Sequence, residues 1–236
     1  MATWLEHAAG PGGLPLALVY LELILALTFL TTGLHFRALR KTRDELTAVR
    51  GYFLAFFGLL LAVPCLLVFL TSSEPWAKLA SFGWTFGRAG RGFALAAVGL
   101  PVAILAGSIG SRDPEMRKKY PFAKAACANA RTFIGYELAY LFLYYLPWEF
   151  IFRGVLFLPL VPIVGLIPAL AIQTAISTLL HIGHPDTEVF AAAGAGLVFG
   201  LIAYATGSFF YTLILHAATG IATDTFLFVG RRRVKP

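Results

Sequence analysis

Seven apolar runs leave this chain few ways to fold. They lie at residues 14–36, 51–71, 92–109, 132–158, 163–181, 189–205 and 208–229. Each approaches the roughly 20 residues that a helix needs to cross the hydrocarbon core of a bilayer. An open sheet edge or a lipid-facing loop would leave backbone groups unsatisfied there, so the runs are expected to be helices. Composition agrees: 58% of the 236 residues are hydrophobic and only 13% are charged, against about a quarter charged in soluble domains. The expected fold is therefore all-α, a polytopic membrane helix bundle of about seven transmembrane helices. It would be an integral, multi-pass protein with membrane lipid as its first partner.

The net charge of +7 does not indicate nucleic acid. The basic residues gather in short connectors: Arg37, Arg40, Lys41, Arg43 and Arg50; Arg112, Arg117, Lys118, Lys119, Lys124 and Arg131; Arg231, Arg232, Arg233 and Lys235. Such clusters flanking apolar spans are positive-inside topology signals. They place these loops and the C-terminus on the cytoplasmic side, and an odd number of spans puts the N-terminus opposite. Lys78, Arg88 and Arg91 are the exceptions, in a loop assigned to the other side. Cys65 and Cys127 make neither a disulfide framework nor a thiolate metal motif. The stretch before Gly13 carries Glu6 and no basic cluster, so it reads poorly as a signal peptide.

Among the polar side chains within the apolar runs, four stand out: Glu149, Arg153, His181 and His216. Placing an ionisable group in hydrocarbon costs several kcal/mol, so such residues face a protein interior and usually have a function. Glu149 and Arg153 are four apart and share a helix face. The pair is either a structural lock or a carboxylate kept ionised for proton abstraction. His181 closes its run just before Gly183, His184 and Pro185, where a cap is the plainer role. His216 lies well inside the last run and needs a partner. Pro147, Pro159, Pro162 and Pro168 should bend or shorten the fourth and fifth spans. Gly196 and Gly200, four apart, permit close helix packing. At about 1.5 Å per residue, Glu149 and His216 fall at similar depths while His181 falls nearer the cytoplasmic side. A bend around Pro159–Pro168 or a recessed loop is required if the three are to meet.

The order of three motifs resembles the CPBP family of CAAX-protease and bacteriocin-processing (Abi-type) membrane endopeptidases. They are Trp148-Glu149-Phe150-Ile151-Phe152-Arg153, then Leu180-His181 with Glu188 downstream, then Leu215-His216. The family pattern is Glu-Glu-x-x-x-Arg, Phe-x-x-x-His and His-x-x-x-Asn/Asp. The likeness covers residues 131–228, which divides the chain into N-terminal helices and basic loops (1–130), a catalytic core (131–229) and a basic tail (230–236). The resemblance implies an intramembrane endopeptidase in which glutamate and histidine activate water. Glu149 would be the base, His181 the water partner and His216 an oxyanion donor, with Arg153, Glu188, Asp224 and Trp148 in support.

Three positions depart from that pattern. Trp148 takes the first glutamate position, Ser177 the phenylalanine position and Gly220 the final Asn/Asp position, with Asp224 a candidate substitute. The substrate implied is a peptide or protein that could be lipid-anchored, with accessory processing proteins conceivable and a prokaryotic plasma membrane expected. No cofactor is implied. A metal-assisted variant would draw on His181, His184, Asp186 and Glu188, but a metalloprotease helix motif is missing. Two rival readings are a catalytically degenerate scaffold or immunity partner, from Trp148 and Gly220, and a small proton-coupled transporter, from Glu22, Glu137 and Asp224.

Overall fold

A computed structural model describes residues 9–31 and 44–234. The basic run at 37–43 and the N-terminal Glu6 lie outside the described residues, as do the side chains from 231 onward. Among the described residues all regular structure is helical. The elements are α1 (Gly13–Thr31), α2 (Glu45–Thr71), α3 (Pro75–Ser81), α4 (Ala89–Gly110), α5 (Pro114–Lys119), α6 (residues 130–155), α7 (Leu166–Leu179), α8 (Asp186–Thr206) and α9 (Phe210–Val234).

Seven of these coincide with the seven apolar runs. Five, namely α1, α2, α4, α8 and most of α9, are long and apolar enough to cross a membrane. The other two depart from simple spans. α6 is interrupted by wide π turns at Leu141–Tyr145 and Phe150–Val155. α7 has only 14 residues. At 1.5 Å per residue it is about 21 Å long, roughly 10 Å short of the hydrocarbon thickness.

Local chemistry sets the ends. Asp44 accepts hydrogen bonds at the start of α2 and Asp113 at the start of α5, while Asn129 caps α6 through the Thr132 N–H. Each satisfies backbone donors that the first helical turn leaves open. Prolines shape the interiors. In α2 the Val63 N–H bonds to the Gly58 carbonyl, and in α6 the Leu146 N–H bonds to the Leu141 carbonyl. Both are five-residue closures, and each immediately precedes a proline, Pro64 or Pro147. A proline lacks the N–H and its ring collides with the carbonyl one turn back. Widening the preceding turn relieves that collision without ending the helix.

The main core joins α1, α2 and α6. Its centre is an aromatic column: Phe53 stacks on Tyr140 at 5.0 Å, Phe56 on Tyr144 at 4.4 Å and on Trp148 at 5.9 Å. Small residues bring the other helices close. Gly92, Ala96, Ala103 and Gly107 line the buried face of α4 against α9. A Cβ at Gly107 would sit 2.6 Å from the Thr219 carbonyl oxygen. The expected Gly196 and Gly200 stripe packs α8 on α7, and the buried Gln173 amide donates to the Gly196 carbonyl at 2.8 Å.

Candidate active site

Glu149 and Arg153 sit on the second half of α6, between and within the two π turns, and both are almost wholly enclosed (0% and 3% exposed). Arg153 Nε lies 3.4 Å from Glu149 Oε2 and its guanidinium rests 5.4 Å from the Phe199 ring centroid. Arginine stays charged under any condition a protein meets. A buried charge needs a counter-charge, so Glu149 is the ionised partner that the arrangement calls for. Its other oxygen, Oε1, is 2.7 Å from Nδ1 of His216 on α9. A carboxylate can only accept, so Nδ1 carries the proton and Nε2 is left with its lone pair.

His181 is fixed by a similar bond. Its Nδ1 is 2.8 Å from the Ser177 carbonyl, an acceptor, which makes Nδ1 the protonated nitrogen and Nε2 the free base. Ser177, at the family's phenylalanine position, contributes this through its backbone.

His181 and His216 line one cavity of about 150 Å3, together with Tyr145, Trp148, Phe199 and Glu188. The Trp148 indole touches both imidazoles, at 5.2 and 6.2 Å between ring centroids. The shortness of α7 supplies the required geometry. The chain turns at residues 156–160, makes one helical turn at Val161–Val164 and reverses at Gly165 (φ 90°). α7 then ends after 14 residues, and His181, two residues beyond its end, lines the same cavity as His216.

A second polar group lines the same cavity. Tyr120 donates to Glu188 Oε1 at 2.6 Å, and His184 Nδ1 lies 2.9 Å from that oxygen. Burial, and then the charge of Glu188, pushes the Tyr120 phenol well above its ordinary pKa and keeps it a proton donor. Among the described residues, no group of three or more His, Cys, Asp or Glu side chains is placed to hold a metal ion.

The predicted residues therefore divide by position. His181, His216, Trp148 and Glu188 form part of the cavity wall, while Glu149 and Arg153 stand behind His216. Asp224 is buried beside Glu137 between α6 and α9 and is not among the residues of that wall. The sequence alone singled out neither Tyr120 nor Tyr145 for the site. Neither carries a motif, and the loop that brings Tyr120 over Glu188 has no periodicity to betray it.

These observations define a class: an integral, multi-pass helical membrane protein with a polar, histidine-lined cavity among its helices. Residues 130–222 match the family model for type II CAAX prenyl endopeptidase Rce1-like proteins, so this segment is similar to that family. The match begins with α6, includes every residue named above on the cavity wall from Tyr145 to His216, and stops short of Asp224. No curated protein and no solved structure matches the chain.

Proposed function

We propose that this protein is an intramembrane endopeptidase that hydrolyses a peptide bond of a membrane-associated protein or peptide, using water activated by histidine. The observation that carries the reading is the 2.7 Å bond between His216 and the buried Glu149, with His216 on the cavity wall. A buried carboxylate that fixes the Nδ1–H tautomer directs Nε2 at the reacting atoms and stabilises the imidazolium that forms on proton transfer. Glu149 thus acts through His216 rather than on water, and is a positioning residue. Arg153 holds it ionised. His181 offers a second lone pair to the same water, and the two acceptors orient it. General-base assistance of this kind contributes about 10²- to 10⁴-fold.

The substrate is a peptide segment that can enter a cavity walled largely by aromatic rings and alanines, which suits an apolar or lipid-anchored tail. Similarity to a CAAX-type endopeptidase family supports that class. The test is cleavage of a membrane-tethered peptide by wild type, His216→Ala and Glu149→Gln, with folding checked in each. Loss of cleavage of about 10²-fold or more in folded Glu149→Gln is expected. Retained cleavage in that variant would remove Glu149 from the mechanism. Cleavage is also expected to survive chelation, since no three ligating side chains converge among the described residues; loss on chelation, restored by added metal, would establish the metal-assisted variant.

One observation favours a second reading. Trp148 fills the wall between the two histidines, which suits a site that holds a peptide without cutting it. A wild-type protein that retains tethered peptides but cleaves none would establish that scaffold role.

A further inference from the structure

Hydrolysis needs a donor for the oxyanion as well as a base for the water, and the two histidines do not supply one. Each has its ring N–H committed, to Glu149 or to the Ser177 carbonyl, and presents a lone pair. Three of the six hydroxyls of the wall are also engaged. Thr219 donates to the Leu215 carbonyl at 3.0 Å, Thr223 to the Thr219 carbonyl at 2.9 Å, and Tyr120 to Glu188.

Tyr145 differs. Its ring packs edge-on against His216 at 4.8 Å, in the same cavity wall. Its hydroxyl lies within reach of the neighbouring Tyr140 hydroxyl, and when Tyr140 is the donor the Tyr145 proton is left for another acceptor. The backbone makes room for it: Gly220 is one turn beyond His216 on α9, and a Cβ there would overlap the Tyr145 hydroxyl oxygen. A side chain at 220 and a phenol at this point are mutually exclusive.

We propose that the Tyr145 hydroxyl is the oxyanion donor of this site, occupying the space that a polar side chain at position 220 would otherwise fill. The inference rests on the endopeptidase reading above. As water attacks the scissile carbonyl carbon, its proton passes to His216 Nε2 and the carbonyl π electrons move onto oxygen. That oxygen accepts the Tyr145 O–H hydrogen bond, with no proton transferred. Collapse re-forms the carbonyl, breaks the C–N bond and returns the proton from His216 to the leaving amine, giving a carboxylic acid and an amine. The indole N–H of Trp148 and the hydroxyl of Tyr144 are the competing donors on this wall, and Tyr144→Phe belongs in the experiment beside the Trp148 variant.

The experiment measures kcat and KM for a membrane-tethered peptide with wild type, Tyr145→Phe, Tyr144→Phe, Trp148→Phe and His216→Ala, alongside thermal unfolding of each in detergent. Tyr145→Phe keeps the ring and its packing. It is expected to lower kcat by about 10²-fold, the size of one oxyanion-hole donor, with KM little changed and unfolding unmoved. Affinity for a phosphonate analogue of the peptide, which mimics the tetrahedral oxygens, should fall in parallel. Replacing the phenol and restoring a donor from α9, as Tyr145→Leu with Gly220→Asn, should recover cleavage relative to Tyr145→Leu alone. Wild-type kcat in Tyr145→Phe beside an inactive His216→Ala would overturn this assignment and leave the endopeptidase reading standing. A loss confined to Trp148→Phe would move the donor role to the indole, and one confined to Tyr144→Phe would move it to that hydroxyl. A wild type that cleaves nothing would overturn both.

Discussion

At the scale of single residues, the Glu149–Arg153 pair shows how a charge survives in this interior. Both members are almost wholly enclosed, and among the described residues the His216 bond is what links Glu149 to the cavity. Removing one partner leaves the other buried without compensation, which typically costs about 3–5 kcal/mol. Glu149→Gln and Arg153→Met are each expected to lower the unfolding temperature in detergent. The double variant should be more stable than the sum of the two losses, a coupling that a double-mutant cycle reads directly. Additive losses would mean that the two side chains do not depend on each other. Cleavage should remain low in the double variant whatever its stability, because His216 has lost its carboxylate.

Helices and their contacts explain what could be read from the chain and what could not. The seven apolar runs were legible because stretches of about twenty mostly apolar residues admit few alternatives. Glu149, His181 and His216 stood out because polar groups in such runs are costly. Which way Glu149 points was not legible. The π turn before Pro147 inserts an extra residue into the turn, and each inserted residue rotates everything beyond it by about 100°. Whether residue 149 meets the cavity or the back of His216 depends on that phase, and the proline alone does not announce it. The role of Gly220 was equally hidden, since it depends on a tyrosine 75 positions away on another helix. The α4–α9 contact offers a test at this scale. Gly107 faces the backbone carbonyl of Thr219, which cannot yield without moving α9. Gly107→Val is expected to cost about 1–3 kcal/mol, as overpacking of a tight contact does. Because α9 carries His216, cleavage should fall with it, while Gly90→Ala, where a Cβ meets nothing within 4 Å, should leave both unchanged. Equal stability of Gly107→Val and wild type in thermal unfolding would mean that the helices are not seated on each other as described.

For the whole molecule, contacts between connectors sort them into two faces. On one face Lys78 donates to the Gly12 carbonyl, and Arg88 and Arg91 donate to the Ala205 carbonyl. On the other, Ala125 donates to Glu45, Thr187 to Asp113, and Lys119 to the Gly183 carbonyl. α4 runs from Arg88 at the first face to Arg112 at the second, so the two sets are separated by a full span. The second face carries the denser basic cluster, Arg112 through Arg131, and the positive-inside bias predicts that it is cytoplasmic. Met116, Tyr120, His184 and Glu188, which rim the cavity, belong to that same face. With that orientation the cavity would open toward the cytoplasm, and a substrate tail is expected to enter from there. Sealed right-side-out and inverted vesicles test this. A membrane-impermeant thiol reagent should label Lys118→Cys only in inverted vesicles and Arg88→Cys only in right-side-out ones, with Cys65 and Cys127 replaced by Ser to remove background. An impermeant peptide tail anchored in the outer leaflet should be cut in inverted vesicles alone. Labelling of both positions from one side would break the two-face arrangement, and cleavage from the Arg88 side would place the entrance at the opposite end of the bundle.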